Sequence, residues 1–402
     1  MHIGRRNAVR QALQDFIGRA GSGAGFSFLY INPHFSDVQK SQRPAMNLAD
    51  IAALRLANQQ ILNSRYTEPA ELVAWMGAVQ AQDFGMAKWA LGLRLKQATD
   101  ARVEQAIDAG GIIRTHILRP TWHFVTKEDV RWMMDLTAPH VVKLAGSMYR
   151  QLKLDSSVFN ITNDLIGKLL ADGEELTREE IIAEVNKAGI ETDNLRATHI
   201  MFQAELDKVI CNGARRGKKF TYALFDKKVP SAPPVPREEA LGALARRYFA
   251  SHGPAIVHDF AWWSGLPVAD SKLAFEAVRS EFETTNVNGR EYIFTGVSEI
   301  PKVPAKAMLI PAYDELTISY ADRSAAMDEA VANNPASGSG IFKPVVMVKG
   351  KIVAAWRRTE KKDAVHIEIS TLTDMPAAAE KSLDAAGTAY ARFVGKKNAV
   401  FD

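Results

Sequence analysis

Three times along a single chain of 402 residues, segments of helical periodicity lead into a β-hairpin, and this repetition restricts the fold more than any other feature. In the first round, apolar residues fall at helical spacing over Leu48 to Leu62, Ala70 to Val79 and Ala87 to Leu95. A strand pair follows, Gly111 to Leu118 and Thr121 to Val125, split by Arg119-Pro120. In the second, Thr177-Arg178-Glu179-Glu180 reads as a capping box opening a helix to Ala188, and Leu195 to Asp207 is the next helix. Val209 to Cys211 and Phe220 to Leu224 then flank a Gly/Arg/Lys-rich tip. The third round follows the linker Val229-Pro230-Ser231-Ala232-Pro233-Pro234-Val235-Pro236, whose prolines force an extended chain. Its helices are Glu238 to Ser251, Val257 to Trp263 and Val268 to Glu281, and its hairpin turns at Asn288-Gly289 between Phe282 to Val287 and Glu291 to Thr295.

Helices followed by a hairpin are the order of a winged helix. From Ala305 onward the pattern changes to strands, at Met308 to Ile310, Val345 to Val348, Ile352 to Trp356 and Val365 to Ile369, before a last helix from Ala377 to Val394. The expected fold is therefore α+β and mainly α, with three tandem winged helices and a β-rich C-terminal domain. The expected divisions are an extension at 1–45, winged helices at 46–155, 156–232 and 233–300, and the β-rich domain at 301–402. Three wings on one chain favour a C-shaped clamp that wraps a duplex.

Charge sharpens the picture of the extension. The chain has 50 basic and 46 acidic residues, and the whole excess falls within residues 1–45. That segment also holds the run Ala20-Gly21-Ser22-Gly23-Ala24-Gly25, so it reads as an appendage, flexible or not native, with Met46 as an alternative start. A basic transit peptide is the other reading. The body is neutral overall, so any binding to DNA rests on local basic clusters. No run is long and apolar enough for a membrane span, and the single cysteine, Cys211, rules out a disulfide framework and a Cys-based zinc site. A reducing cytoplasm fits.

Four stretches carry a resemblance. They are Ala78-Val79-Gln80-Ala81-Gln82-Asp83; Arg114 to Val125, containing Arg119-Pro120-Thr121-Trp122-His123; His252-Gly253-Pro254-Ala255 with Asp259 to Leu266; and Leu309-Ile310-Pro311-Ala312-Tyr313-Asp314-Glu315. In order and spacing they resemble the winged-helix DNA glycosylases of the AlkZ and YcaQ type, over essentially Met46 to Asp402. The resemblance implies excision of alkylated purines and resolution of interstrand crosslinks, in DNA repair or genotoxin self-resistance at the nucleoid. It implies a catalytic Gln-x-Gln element, here Gln80 and Gln82, in the AlkZ version rather than the Gln-x-Asp version, with Asp83 one place beyond the carboxylate of the latter.

An amide takes no proton at neutral pH, so neither glutamine is a general base. Their carbonyl oxygens can orient a water and lean negative density toward an oxocarbenium-like sugar. Such weak assistance suits a good leaving group, and an N7-alkylated guanine, cationic in the nucleotide, leaves as a neutral base. The expected geometry is a helix ending near Val79, with both glutamines on the extended segment beyond it and aimed the same way. The ordinary alternative is two solvated glutamines at a helix end.

His123, Thr121, Asp83, Arg119, Tyr313 and Asp314 are expected to support the pocket, and His123 reads equally as a core histidine. DNA contacts are expected from Arg114, from the second wing's tip (Arg215, Arg216, Lys218, Lys219), and from Lys349, Lys351, Arg357 and Arg358 around a C-terminal hairpin. The ordinary alternative for the tips is solvated charge. His116 and His123 lack a third ligand nearby, so no metal site is expected. The reading implies a monofunctional hydrolase without metal or organic cofactor, acting on double-stranded DNA that carries alkyl adducts or crosslinks, with no obligate protein partner. A non-catalytic winged-helix DNA-binding regulator is the rival.

Overall fold

The computed structural model describes residues 46–334 and 342–402, and the N-terminal extension read from the sequence lies outside them. Residues 45–402 form one contact unit. Its first helix, Leu48–Asn58, opens on a capping box in which Asn47 Oδ1 accepts from Ala49 and Asp50 N–H, while the Asp50 carboxylate takes the Asn47 N–H. It stops short of the expected Leu62, because the chain turns at Gln60 with φ 64°.

The next helix, Pro69–Met76, ends at Gly77 rather than near Val79. Gly77 has φ 79°, which continues no helix and costs little without a Cβ. The chain then runs extended, and Val79–Gln80 becomes strand β1. With β2 (Ile112–His116) and β3 (Trp122–Thr126) it forms an antiparallel sheet of order β1-β3-β2. Helices Phe84–Gly92 and Asp100–Asp108 lie between β1 and β2.

Helices and a hairpin then recur. Helices Arg178–Lys187 and Asn194–Leu206 accompany a sheet of β4 (Leu176–Thr177), β5 (Ile210–Asn212) and β6 (Thr221–Leu224), in the order β4-β6-β5. Helices Arg237–His252, Val257–Ser264 and Val268–Val278 precede β7 (Glu283–Val287) and β8 (Arg290–Phe294). The β7–β8 turn holds Asn288 and Gly289 at φ 51° and 77°, the backbone a two-residue type I′ turn requires. The C-terminal sheet has five strands, β9 (Ala307–Ile310), β10 (Val345–Val348), β11 (Lys351–Glu360), β12 (Ala364–Thr371) and β13 (Asn398–Phe401). Their order is β13-β12-β11-β10-β9, antiparallel except for β12 with β13. The fold is thus mixed α and β. Among the described residues no helix is long and apolar enough to cross a membrane.

Packing ties distant segments together around β1. Leu72, Val73, Met76, Val79 and Trp89 share a core with Leu309, Val346, Trp356, Tyr390 and Phe393 of the C-terminal part. On the other side, Ile113, Val125 and Met133 share one with Tyr248, Phe249, Phe260 and Trp263. Gly265 makes that second contact close. A Cβ there would lie 2.3 Å from the Leu118 carbonyl oxygen, so only glycine lets the Leu118–Arg119 turn approach the helix end.

Candidate active site

Gln80 on β1 stands directly opposite His123 on β3. The next pair along the ladder is the hydrogen-bonded one, with Ala81 N–H donating to the Trp122 carbonyl at 2.7 Å. Gln80 and His123 therefore occupy the close, non-hydrogen-bonded position, where opposite Cα atoms are about 4.5 Å apart. The Gln80 N–H points out of the ladder and donates to Glu315 Oε1 at 2.6 Å.

Glu315 is fully buried. Burial raises its carboxyl, but His252, whose Nε2 is 3.5 Å from Oε2, the Ser319 hydroxyl and the Gln80 N–H together outweigh this and hold the group down at about 2. Trp263 Nε1 adds a further donor at 3.1 Å. His123 is equally buried, and burial together with the Arg119 charge pushes its ring down to about 3, so it is neutral at pH 7. Its Nδ1 lies 2.9 Å from the Thr121 carbonyl, which can only accept. Nδ1 therefore carries the proton, and Nε2 presents a lone pair.

Three acceptor-bearing side chains gather on this face. Gln80 Oε1, His123 Nε2 and Thr121 Oγ1 are all buried and have no hydrogen-bond partner among the described residues. Arg119 borders them. Burial lowers its affinity for the proton, its Nε and Nη2 are likewise unpartnered, and its guanidinium carbon sits 5.9 Å from the Trp262 ring, which is half exposed.

Gln82 is exposed and lies in the bend just beyond β1, two residues past Gln80 and separated from it by the buried Ala81. Asp83 caps the helix Phe84–Gly92, its Oδ1 accepting from Met86 N–H at 3.0 Å. Arg114, expected at phosphates, instead turns inward. Its Nε and Nη2 donate to the Ala81 carbonyl at 3.2 and 3.1 Å, and its guanidinium lies 4.4 Å from the Trp122 ring and 4.8 Å from Phe220. It thus fixes the peptide between the two glutamines.

Asp314 also lies inward, in a two-point ion pair with Arg94 at 2.8 and 2.7 Å, both residues essentially without solvent contact. Removing one partner strands the other charge in the interior. Asp314→Ala should therefore cost about 3–5 kcal/mol in a urea unfolding experiment. A cost below about 1 kcal/mol would mean that Arg94 finds another partner. Tyr313, half-buried, holds φ 58° on the same turn, with its ring 5.7 Å from Phe342.

The basic groups divide. At the tip between β5 and β6 Arg215 is engaged by Glu104 at 2.8 Å and Arg216 by Glu180 at 2.8 Å, whereas Lys218 and Lys219 are exposed. The Lys349-Gly350 turn is not a projecting tip. A Cβ on Gly350 would lie 2.7 Å from Ala52 of the first helix, and Lys351 is tied to Asp328 at 2.6 Å. Lys349 and Arg357 are exposed. Arg358 lies beside the Gly85 backbone, at the start of the helix that follows Gln82.

Sequence reasoning gave Glu315 no role, although it closes the Pro311-Ala312-Tyr313-Asp314-Glu315 stretch. Its partner Gln80 is 235 residues away, and only the fold joins them. Arg323 was missed entirely; its guanidinium is 5.3 Å from the same Trp262 ring.

With this geometry in hand, the comparisons with known proteins fall into place. The family model described as DNA glycosylase AlkZ-like matches residues 73–393. Among solved structures, the DNA glycosylase AlkZ of Streptomyces sahachiroi superposes with a TM-score of 0.72 at 17% identity, covering 89% of this chain and 100% of that one. No curated protein matches the chain. The superposition establishes the shared fold, and the match over most of the chain establishes that it belongs to the AlkZ-like DNA glycosylase family.

Proposed function

We propose that this glycosylase hydrolyses the N-glycosidic bond of N7-alkylated purines in duplex DNA, including bulky adducts and interstrand crosslinks. It acts as a monofunctional enzyme in the cytoplasm at the nucleoid, in repair or self-resistance, and needs no protein partner. The observation that carries this reading is a cluster of buried, uncharged acceptors, Gln80 Oε1, Thr121 Oγ1 and the Nε2 of a neutral His123, which have no hydrogen-bond partner among the described residues. The Glu315 carboxylate is committed to the Gln80 N–H, Trp263 and Ser319, and is not available to deprotonate a water. A pocket that assists this weakly suits a leaving group that is already cationic.

In this reading Gln80 orients the water, and Gln82, exposed beside it, meets the sugar or the lesion. Arg114 and Glu315 hold the peptide that carries both. The divisions at 155, 232 and 300 mark three winged helices that surround the duplex. Base release from oligonucleotides bearing an N7-methylguanine, a bulky N7 adduct or an N7 crosslink tests the substrate range. Release confined to uncharged lesions would overturn the reading.

Phosphate contacts fall to the exposed cations. Lys218→Gln with Lys219→Gln should weaken duplex binding at every sequence and lower the slope of log K against log salt by about 1–2. An unchanged slope would return the wing tip to solvated surface.

A further inference from the structure

We infer that His123 is itself a catalytic residue, its Nε2 and Gln80 Oε1 together seating the hydrolytic water by accepting both of its protons. The inference rests on the reading of the chain as a base-releasing hydrolase. Two opposite residues in a non-hydrogen-bonded pair place their side chains nearest each other, and here both end in acceptors. The imidazole tautomer is set by the Thr121 carbonyl, which takes the Nδ1 proton and leaves Nε2 with a lone pair. Neither Nε2 nor Gln80 Oε1 has a hydrogen-bond partner among the described residues, although both atoms are buried. Buried polar atoms nearly always find a partner, and a molecule with two donors satisfies both at once. A water held by its two protons turns its oxygen lone pair outward, toward an incoming sugar.

The groups around the imidazole suit the task. Burial and Arg119 keep it neutral at working pH, and the Glu315 charge opposes them only in part. Glu315 and Arg114 fix the Gln80 and Ala81 backbone, so the main chain that carries the amide is held opposite the ring.

The step balances. The water oxygen forms a bond to C1′ as the bond from C1′ to the purine nitrogen breaks. The electron pair of that bond goes into the purine and cancels the charge of the N7-alkyl group. The product oxygen, now positively charged, passes a proton to His123 Nε2 and from there to solvent. A weak base suffices, because a protonated C1′ hydroxyl is a far stronger acid than an imidazolium. What remains is a 1′-hydroxyl sugar and a neutral alkylpurine.

Two substitutions separate this role from a merely structural one. His123→Asn retains an N–H at the position of Nδ1 but ends short of Nε2, whereas His123→Gln reaches the Nε2 position with an acceptor. On a duplex carrying one N7-methylguanine, under single-turnover conditions with the full chain, His123→Asn should release base about 10- to 100-fold more slowly than wild type. His123→Gln should recover most of that loss, with duplex affinity unchanged within a few-fold in both. Equal rates for the two variants, or a wild-type rate for His123→Asn, would overturn the assignment.

A second measurement uses the wild-type protein alone. Methanol has one O–H and cannot donate to both acceptors, so turnover in aqueous methanol should yield only the hydrolysed sugar. A methyl glycoside formed in proportion to the methanol present, read by mass spectrometry of the strand, would show that no two-point seat operates. Absence of base release by the wild type would instead refute the hydrolase reading, and this inference with it.

Discussion

Gln80→Ala should slow the release of an N7-alkylguanine by about 10²-fold or more while duplex affinity stays within a few-fold. Gln80 is buried, and its backbone is held by Glu315 through its own N–H and by Arg114 through the next carbonyl. A buried dipole on an anchored backbone needs little reorganisation as charge develops on the sugar, and its removal is felt in the transition state rather than in binding. Gln82→Ala should act in the same direction with a smaller effect, because an exposed amide is less preorganised. Single-turnover rates at saturating protein separate these effects from affinity. Wild-type rates in both variants would remove the Gln-x-Gln element from the chemistry.

The second large effect is expected at Glu315. Glu315→Gln keeps an acceptor for the Gln80 N–H but removes the carboxylate charge that acts on His123, and should slow base release by roughly tenfold or more. It also sets an amide N–H₂ against the Trp263 and Ser319 donors, costing about 1–3 kcal/mol of stability at pH 7.

The pH dependence gives an independent reading of the same substitution. The folded carboxyl titrates at about 2, below its ordinary 4.5, so its stabilisation is complete above pH 4.5 and is lost as pH falls toward 2. His123 works in a higher window. Its folded value of about 3 lies below the ordinary 6.5, so the unfolded chain gains a proton first and stability declines as pH falls from 6.5 toward 3. Urea unfolding between pH 7 and 3 should show both losses in the wild type, and Glu315→Gln should lack the lower one. A variant with the wild-type acid profile would mean that Glu315 is protonated in the native state.

Much of this was legible in the chain because local physics decided it. Asn288-Gly289 specifies a hairpin turn, Thr177 and Glu180 specify a helix start, and the period-two pattern of β3 places His123 and Thr121 on one face. Boundaries failed where a single residue overrides periodicity, as at Gly77 and Gln60. The helices Val130–Gln151 and Ser156–Leu169 were not anticipated. The first runs through Pro139, which removes one backbone hydrogen bond without ending a helix whose first half packs in one core and whose second half packs in another.

The site was half legible. The spacing of Gln80 and Gln82 is written in the sequence, but the partners that fix them come from afar. Arg114 reads as a surface cation until Trp122 and Phe220 supply the ring faces that draw it inward onto Ala81. Lys351 and Asp314 likewise read as free charges until Asp328 and Arg94 are brought to them.

The most direct measurement is the fate of a duplex bearing one N7-methylguanine after incubation with the full-length protein. Free N7-methylguanine should appear in solution, and the strand should break at that position only after alkali. Tight, salt-dependent binding of the duplex with no base released would contradict the glycosylase reading of this pocket and favour a DNA-binding regulator.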